Sequence, residues 1–147
     1  MAGSAAAQSG RLMAPMSDSK TITRRRGARY ADFAARTGTV IFAPIGGVFG
    51  SHVNGDAVVA SVVTDGSPFG FAEPVLASVF PAEDLRVAGE SRIKAGAVIG
   101  VLGPMTPDLR RLFSSDYDLG TLPADYSILR LHMFVGMRQL RPLEFLG

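Results

Sequence analysis

Four short apolar runs constrain this chain more than any other feature: Thr39 to Ala43 (TVIFA), Ala57 to Val63 (AVVASVV), Pro74 to Phe80 (PVLASVF) and Ala97 to Leu102 (AVIGVL). Each is rich in β-branched or aromatic residues, too short for a helix, and bounded by Gly, Pro, Asn or Asp, which is the signature of a strand. The 17 glycines and nine prolines supply the tight turns that many short strands require. The Asn54-Gly55 pair between Val53 and Asp56 predicts a hairpin, because Asn-Gly adopts the left-handed conformations of two-residue turns at low cost. A second turn is expected at Thr64-Asp65-Gly66-Ser67. From residue 38 onward the pattern is all-β.

Two places depart from it. Pro107 to Phe113 (PDLRRLF) has leucines three apart and predicts one or two helical turns, and Tyr30 to Arg36 is expected to coil briefly. Residues 104 to 127, rich in Pro, Asp, Ser and Tyr, form an unusually long connection, suited to a lid, a partner-contacting loop or merely an insertion. There is no internal repeat.

A length of 147 residues with 47% hydrophobic content supports one domain with a sizeable core. No apolar run reaches the roughly 18 residues of a membrane-crossing helix, so no membrane insertion is expected. With no cysteine, disulfides and thiolate metal sites are excluded, and any metal must be held by His, Asp or Glu. Residues 1 to 30 carry six of the 15 basic residues and one acid. The expected organisation is therefore a flexible basic N-terminal arm over residues 1–27 and a single β domain over 28–147. Arg24, Arg25, Arg26 and Arg29 are the candidate partner-binding residues of that arm, with a solvated tether as the simpler reading. Nucleic acid is weakly supported as a partner, since Tyr30 alone is placed for base stacking. The first residues lack the basic head and apolar core of a secretory signal, giving a cytoplasmic or virion-associated expectation.

The two histidines, His52 and His132, support no Ser-His-Asp arrangement, and no serine sits in a nucleophile-elbow context. The Gly46-Gly47 pair and Gly100 to Gly103 lack the Lys-Ser/Thr that follows a phosphate-cradling loop, and are assigned to turns.

Three segments read together carry a resemblance. Asp32, Gly38, Thr39, Ala43 and Gly47 fall in register with the opening motif of the lysostaphin/LytM-type zinc endopeptidases, a His-x-x-x-Asp pair running into a Gly-Thr-x-Val-x-Ala-x-x-x-Gly-x-Val strand, with Ile41 in place of the first Val and Val48 one position before the last. Arg92 to Gly103 (RIKAGAVIGVLG) resembles the family's Val-Lys-x-Gly-x-x-Ile-Gly-x-x-Gly segment. Arg130 to Leu146 (RLHMFVGMRQLRPLEFL) resembles its closing His-Leu-His strand and Pro-Leu ending. The resemblance implies a lysostaphin-like barrel-sandwich hybrid of antiparallel sheets.

It also implies a zinc held by the His and Asp of the opening motif and the second His of the closing one. Asp32 and His132 match two of those places, as a vestigial metal pair; Ala28 stands at the third and has no donor. The family's proton-transferring histidines correspond to Arg130 and to a position near Ser78. A guanidinium cannot act as a general base near neutral pH and repels a cation, and two protein ligands fall short of the usual three plus water. No catalytic residue is therefore assigned. His52 has no role in the resemblance, and a rescue of the metal site by it is not favoured. The simpler reading of His132 is a buried or half-buried strand histidine bonded to Asp32 or a backbone carbonyl, and that of Asp32 a carboxylate paired with Arg130 or Arg29.

The expectation is a domain without hydrolytic chemistry or bound cofactor, serving as a structural or binding module. Its partners would be protein subunits of a larger assembly, a homo-oligomer included, with a phage tail or capsid accessory protein as one concrete form. The competing readings are a divergent zinc peptidoglycan endopeptidase and a capsid decoration protein of unrelated β fold. Proximity of Asp32 to His132 distinguishes the inherited frame from the last of these.

Overall fold

A computed structural model describes residues 12–23, 28–64, 74–84 and 90–146. The apolar runs become strands, and the fold is all-β as expected. In chain order these are β1 Lys20–Thr21, β2 Tyr30–Arg36, β3 Val40–Phe42, β4 Gly47–Asn54, β5 Ala57–Val63, β6 Val75–Phe80, β7 Ala82–Asp84, β8 Ser91–Ile93, β9 Val98–Leu102, β10 Tyr126–Val135 and β11 Arg138–Leu140. A short helix, α1 Pro107–Ser114, precedes β10. The large sheet runs β1-β2-β10-β6-β5-β4-β8, with β11 paired to the far end of β10; a small sheet runs β3-β9-β7. Every named strand pair is antiparallel.

Strand β10 organises the molecule, because successive residues point to opposite faces. Leu129, Leu131 and Met133 enter the main core, which also takes Phe49 and Phe80 from the large sheet and Ile41, Ile99 and Leu102 from the small one. Ile128, Arg130, His132 and Phe134 therefore lie on the other face, here called the site face. Register carries this face across the sheet: Arg130 pairs with Asp32 on one side and Val79 on the other, and His132 with Tyr30 and Ala77.

The connection at 104–127 folds back onto the site face. Thr106 caps α1, its side chain accepting from the Leu109 N–H at 3.3 Å, and Pro107 fits the first turn, where no N–H is needed. Leu109 and Phe113, one turn apart, are buried against Ala34, Ala57 and Ile128 in a second apolar cluster. Leu112, the other leucine of the predicted run, faces solvent. A 3-10 turn, Leu119–Thr121, follows, capped by the Asp118 side chain.

The hairpin at Asn54-Gly55 forms as predicted: Asn54 pairs with Ala57 across a two-residue turn, with Gly55 at φ 65°. The turn expected at Thr64 to Ser67 lies, after Thr64, outside the described residues. Three expectations need correction. Tyr30 to Arg36 is a strand, not a helical turn: β2 is sandwiched between β1 and β10 and buried along Ala31 to Ala35, and this pairing overrides the helix propensity of an alanine-rich run. Gly47 and Gly100 lie in β4 and β9 rather than in turns. At Gly47 the requirement is close approach, since a Cβ there would sit 2.2 Å from the Val63 carbonyl oxygen. Finally, residues 12–23, assigned to the arm from sequence, pack with the β domain: Leu12 and Met16 are in the main core and β1 pairs with β2.

No helix among the described residues is long and apolar enough to cross a membrane.

Candidate functional site

The site face holds one fully buried carboxylate, Asp32, directly opposite Arg130 in the β2–β10 ladder. Burying an ionised group is costly unless it is paired and hydrogen-bonded, and both Asp32 oxygens have partners. Arg130 Nε donates to Asp32 Oδ1 at 2.7 Å and Nη2 to Oδ2 at 2.9 Å, the bidentate fork that suits guanidinium to carboxylate. The Tyr117 hydroxyl donates to Asp32 Oδ2 as well. Arg130 Nη2 also reaches Asp116 Oδ2 at 3.2 Å, and the Tyr30 hydroxyl donates to the same carboxylate oxygen at 3.3 Å.

Two rings close the guanidinium in. Its carbon lies 3.8 Å from the Tyr30 ring centroid and 4.9 Å from that of Phe113, placing the charge between π faces in a largely desolvated setting. The backbone is fixed too: the Asp32 N–H donates to Thr23 Oγ1 at 2.7 Å, and Ile22 N–H to the Asp32 carbonyl at 2.9 Å. The pair is thus built from four parts of the chain: the segment before β2, β2 itself, the α1 connection and β10.

The electrostatics follow from this geometry. Burial, the largest influence on Arg130, works against its charge, but the Asp32 hydrogen bonds and charge, aided by Asp116, outweigh it and raise the pKa above the ordinary arginine value. Burial, reinforced by the Asp32 carboxylate, pushes the Tyr117 hydroxyl well above the usual tyrosine range, so it stays a donor. Burial and then the neighbouring Arg130 charge lower the pKa of His132.

His132 shares the site face with Asp32 as a diagonal neighbour, roughly 7–8 Å away by sheet geometry. The structure thus brings the two candidate ligands onto one surface but gives them different partners. His132 Nδ1 meets Gln139 Nε2 at 2.9 Å, and its ring stacks on Phe134 with centroids 5.9 Å apart. The expected bond from His132 to Asp32 or a backbone carbonyl is replaced by the β11 side chain, because Arg130 already occupies the carboxylate. The same Gln139 amide donates to the Arg29 carbonyl at 2.8 Å, and Arg29 Nη1 returns a bond to the Gln139 carbonyl at 2.8 Å. Arg29 therefore clasps β11 rather than pairing with Asp32; Arg24, Arg25 and Arg26 lie outside the described residues.

The remaining positions also separate. Ala28 is buried and carries no donor. Ser78 pairs with Leu131 and so faces the core, leaving Ala77 and Val79 beside His132 and Arg130. His52 lies in the same row as Asp32 but four strands away, about 19 Å at the usual strand spacing. One ion cannot reach both.

The donor set does not fit a zinc ion. Both Asp32 oxygens are committed to Arg130, one of them also to Tyr117, and a fixed positive charge lies 2.7 Å away. Among the described residues no group of three or more His, Cys, Asp or Glu converges. What the arrangement can do is hold the α1 connection against the sheet through a cluster of paired charges and hydrogen bonds.

Asp116, Tyr117, Tyr30 and Phe113 were not found as site residues in the sequence. The signal available was Arg130 itself, a cation in the apolar run Ser127 to Val135, which demands a buried partner; it points to Asp32 but not to residues in a distant loop.

No protein-family model matches the chain, and no curated protein matches it. Among solved structures, the chain is similar to a crystal structure described as "putative peptidase M23 from Pseudomonas aeruginosa", with a TM-score of 0.57 and 19% identity. The match covers 99% of this chain and 58% of that one, so the chain spans less than two thirds of its structural neighbour. At this identity the likeness concerns the fold: the chain has an all-β fold of the M23, lysostaphin-like type.

Proposed function

We propose that this chain is a non-hydrolytic module on an M23-type fold, in which the Arg130 guanidinium takes the place of a metal ion as the counter-charge of Asp32. The observation that carries the reading is the bidentate Arg130–Asp32 pair, sealed by Tyr117 and Asp116. In the peptidase arrangement this carboxylate would be a ligand, and the residue at 130 a histidine moving protons. Here the first is neutralised, and the second is a cation with no accessible proton transfer near neutral pH.

The role is then binding or structural. The site face beyond the pair, with Val59, Ala77, Val79 and Phe134 half-buried, offers an apolar floor of small and branched side chains. It suits a protein segment of a larger assembly, with a phage tail or capsid accessory role as its concrete form. The six basic residues among the first 30 support docking to acidic neighbouring subunits.

The test is hydrolysis. Incubated with cross-linked peptidoglycan and zinc, the protein is expected to release no new amino termini. Chelator-sensitive release would overturn the reading and favour the divergent endopeptidase.

A further inference from the structure

The chain contains a single asparagine, Asn54, and it is followed by glycine at the tip of the β4–β5 hairpin. Asn54, Gly55 and Asp56 are all exposed. The closing pair of the turn is Asn54 with Ala57, so the Gly55 N–H belongs to the two-residue loop and not to the ladder. With no side chain at residue 55, nothing on that residue shields its nitrogen from the neighbouring side chain.

We propose that Asn54-Gly55 is a self-modification site in the folded protein. The Gly55 backbone nitrogen attacks the Asn54 side-chain carbonyl carbon, forming a five-membered succinimide. The carbon–nitrogen bond of the side-chain amide breaks, and ammonia leaves with the proton lost from Gly55. Water then opens either ring carbonyl, giving aspartate or isoaspartate at residue 54. The balance is one water consumed and one ammonia released, with no oxidant or cofactor.

The position gives the reaction a structural consequence. The Asp56 carboxylate accepts from the Asp108 N–H in the first turn of α1 at 3.4 Å, and Ala57 lies in the apolar cluster with Leu109 and Phe113. Isoaspartate inserts one methylene into the main chain between residues 54 and 55. It shifts the tip against the end of α1, the element whose Phe113 covers Arg130.

The experiment ages the folded full-length chain at mildly alkaline pH and follows intact mass, peptide maps and enzymatic methyl labelling of isoaspartate. The mass change of an amide-to-acid exchange is expected to map to Asn54, with isoaspartate the major product, and to be absent in Asn54→Gln. Mass separates this reaction from isomerisation at aspartates, which leaves mass unchanged. Retention of the Asn54 amide in the folded protein, over a period in which the urea-unfolded chain converts, would overturn the proposal. Hydrogen exchange over residues 107–122 is expected to rise in the modified fraction; unchanged exchange would overturn the link to α1.

Discussion

At Arg130 and Asp32 the chemistry is that of a pair whose members depend on each other. Arg130→Ala leaves a fully buried carboxylate facing Tyr117 alone and is expected to cost about 3–5 kcal/mol. Replacing both, as Asp32→Leu with Arg130→Met, removes the stranded charge and should recover most of that loss, since well-packed apolar pairs often match buried ion pairs. Urea denaturation of the two single variants and the double gives the coupling. Additive costs would show that the two side chains act independently.

His132 contributes on a different axis. Its folded pKa lies below the unfolded value, so the neutral ring is favoured by folding and the unfolded chain binds the extra proton. Its contribution is complete above the unfolded pKa, near 6.5, and is lost as pH falls through the window down to the folded value. The urea midpoint is therefore expected to decline below that pH, and His132→Gln to flatten the decline. Protonation would also turn Nδ1 from an acceptor of the Gln139 amide into a competing donor.

The α1 connection folds onto one part of the site face and covers the Arg130–Asp32 pair. Its hold has two parts, Leu109 and Phe113 in the apolar cluster and Asp116 and Tyr117 on the charged pair. Phe113→Ala is expected to cost about 3–5 kcal/mol through cavity formation, and loss of the Thr106 cap about 1 kcal/mol. Hydrogen exchange over residues 105–122 should report both, rising before the rest of the sheet opens.

Element by element, the sequence was legible where local chemistry decides. Asn54-Gly55 marked its hairpin, and Pro107 to Phe113 marked α1. Tyr30 to Arg36 reads as a helical turn because alanines favour a helix until two neighbouring strands claim them. The burial of Leu12 and Met16 had no periodicity to announce it.

For the whole molecule, three weak motif matches across some 115 residues point to the fold the structure has, because strand order and glycine spacing are properties of the fold. The same comparison placed Asp32, His132 and Arg130 on one surface. Their partners came from tertiary structure: Tyr117 lies 85 positions from Asp32 in sequence and reaches it, as Asp116 reaches Arg130, only because the connection folds back. In the proposed function the Arg130 guanidinium, not a metal, balances this carboxylate. Calorimetric titration of the chelator-treated full chain with zinc is the decisive measurement. No stoichiometric binding and no change in thermal midpoint on adding zinc are expected. One tightly bound zinc per chain, lost in Asp32→Asn and in His132→Ala, would contradict the proposed function.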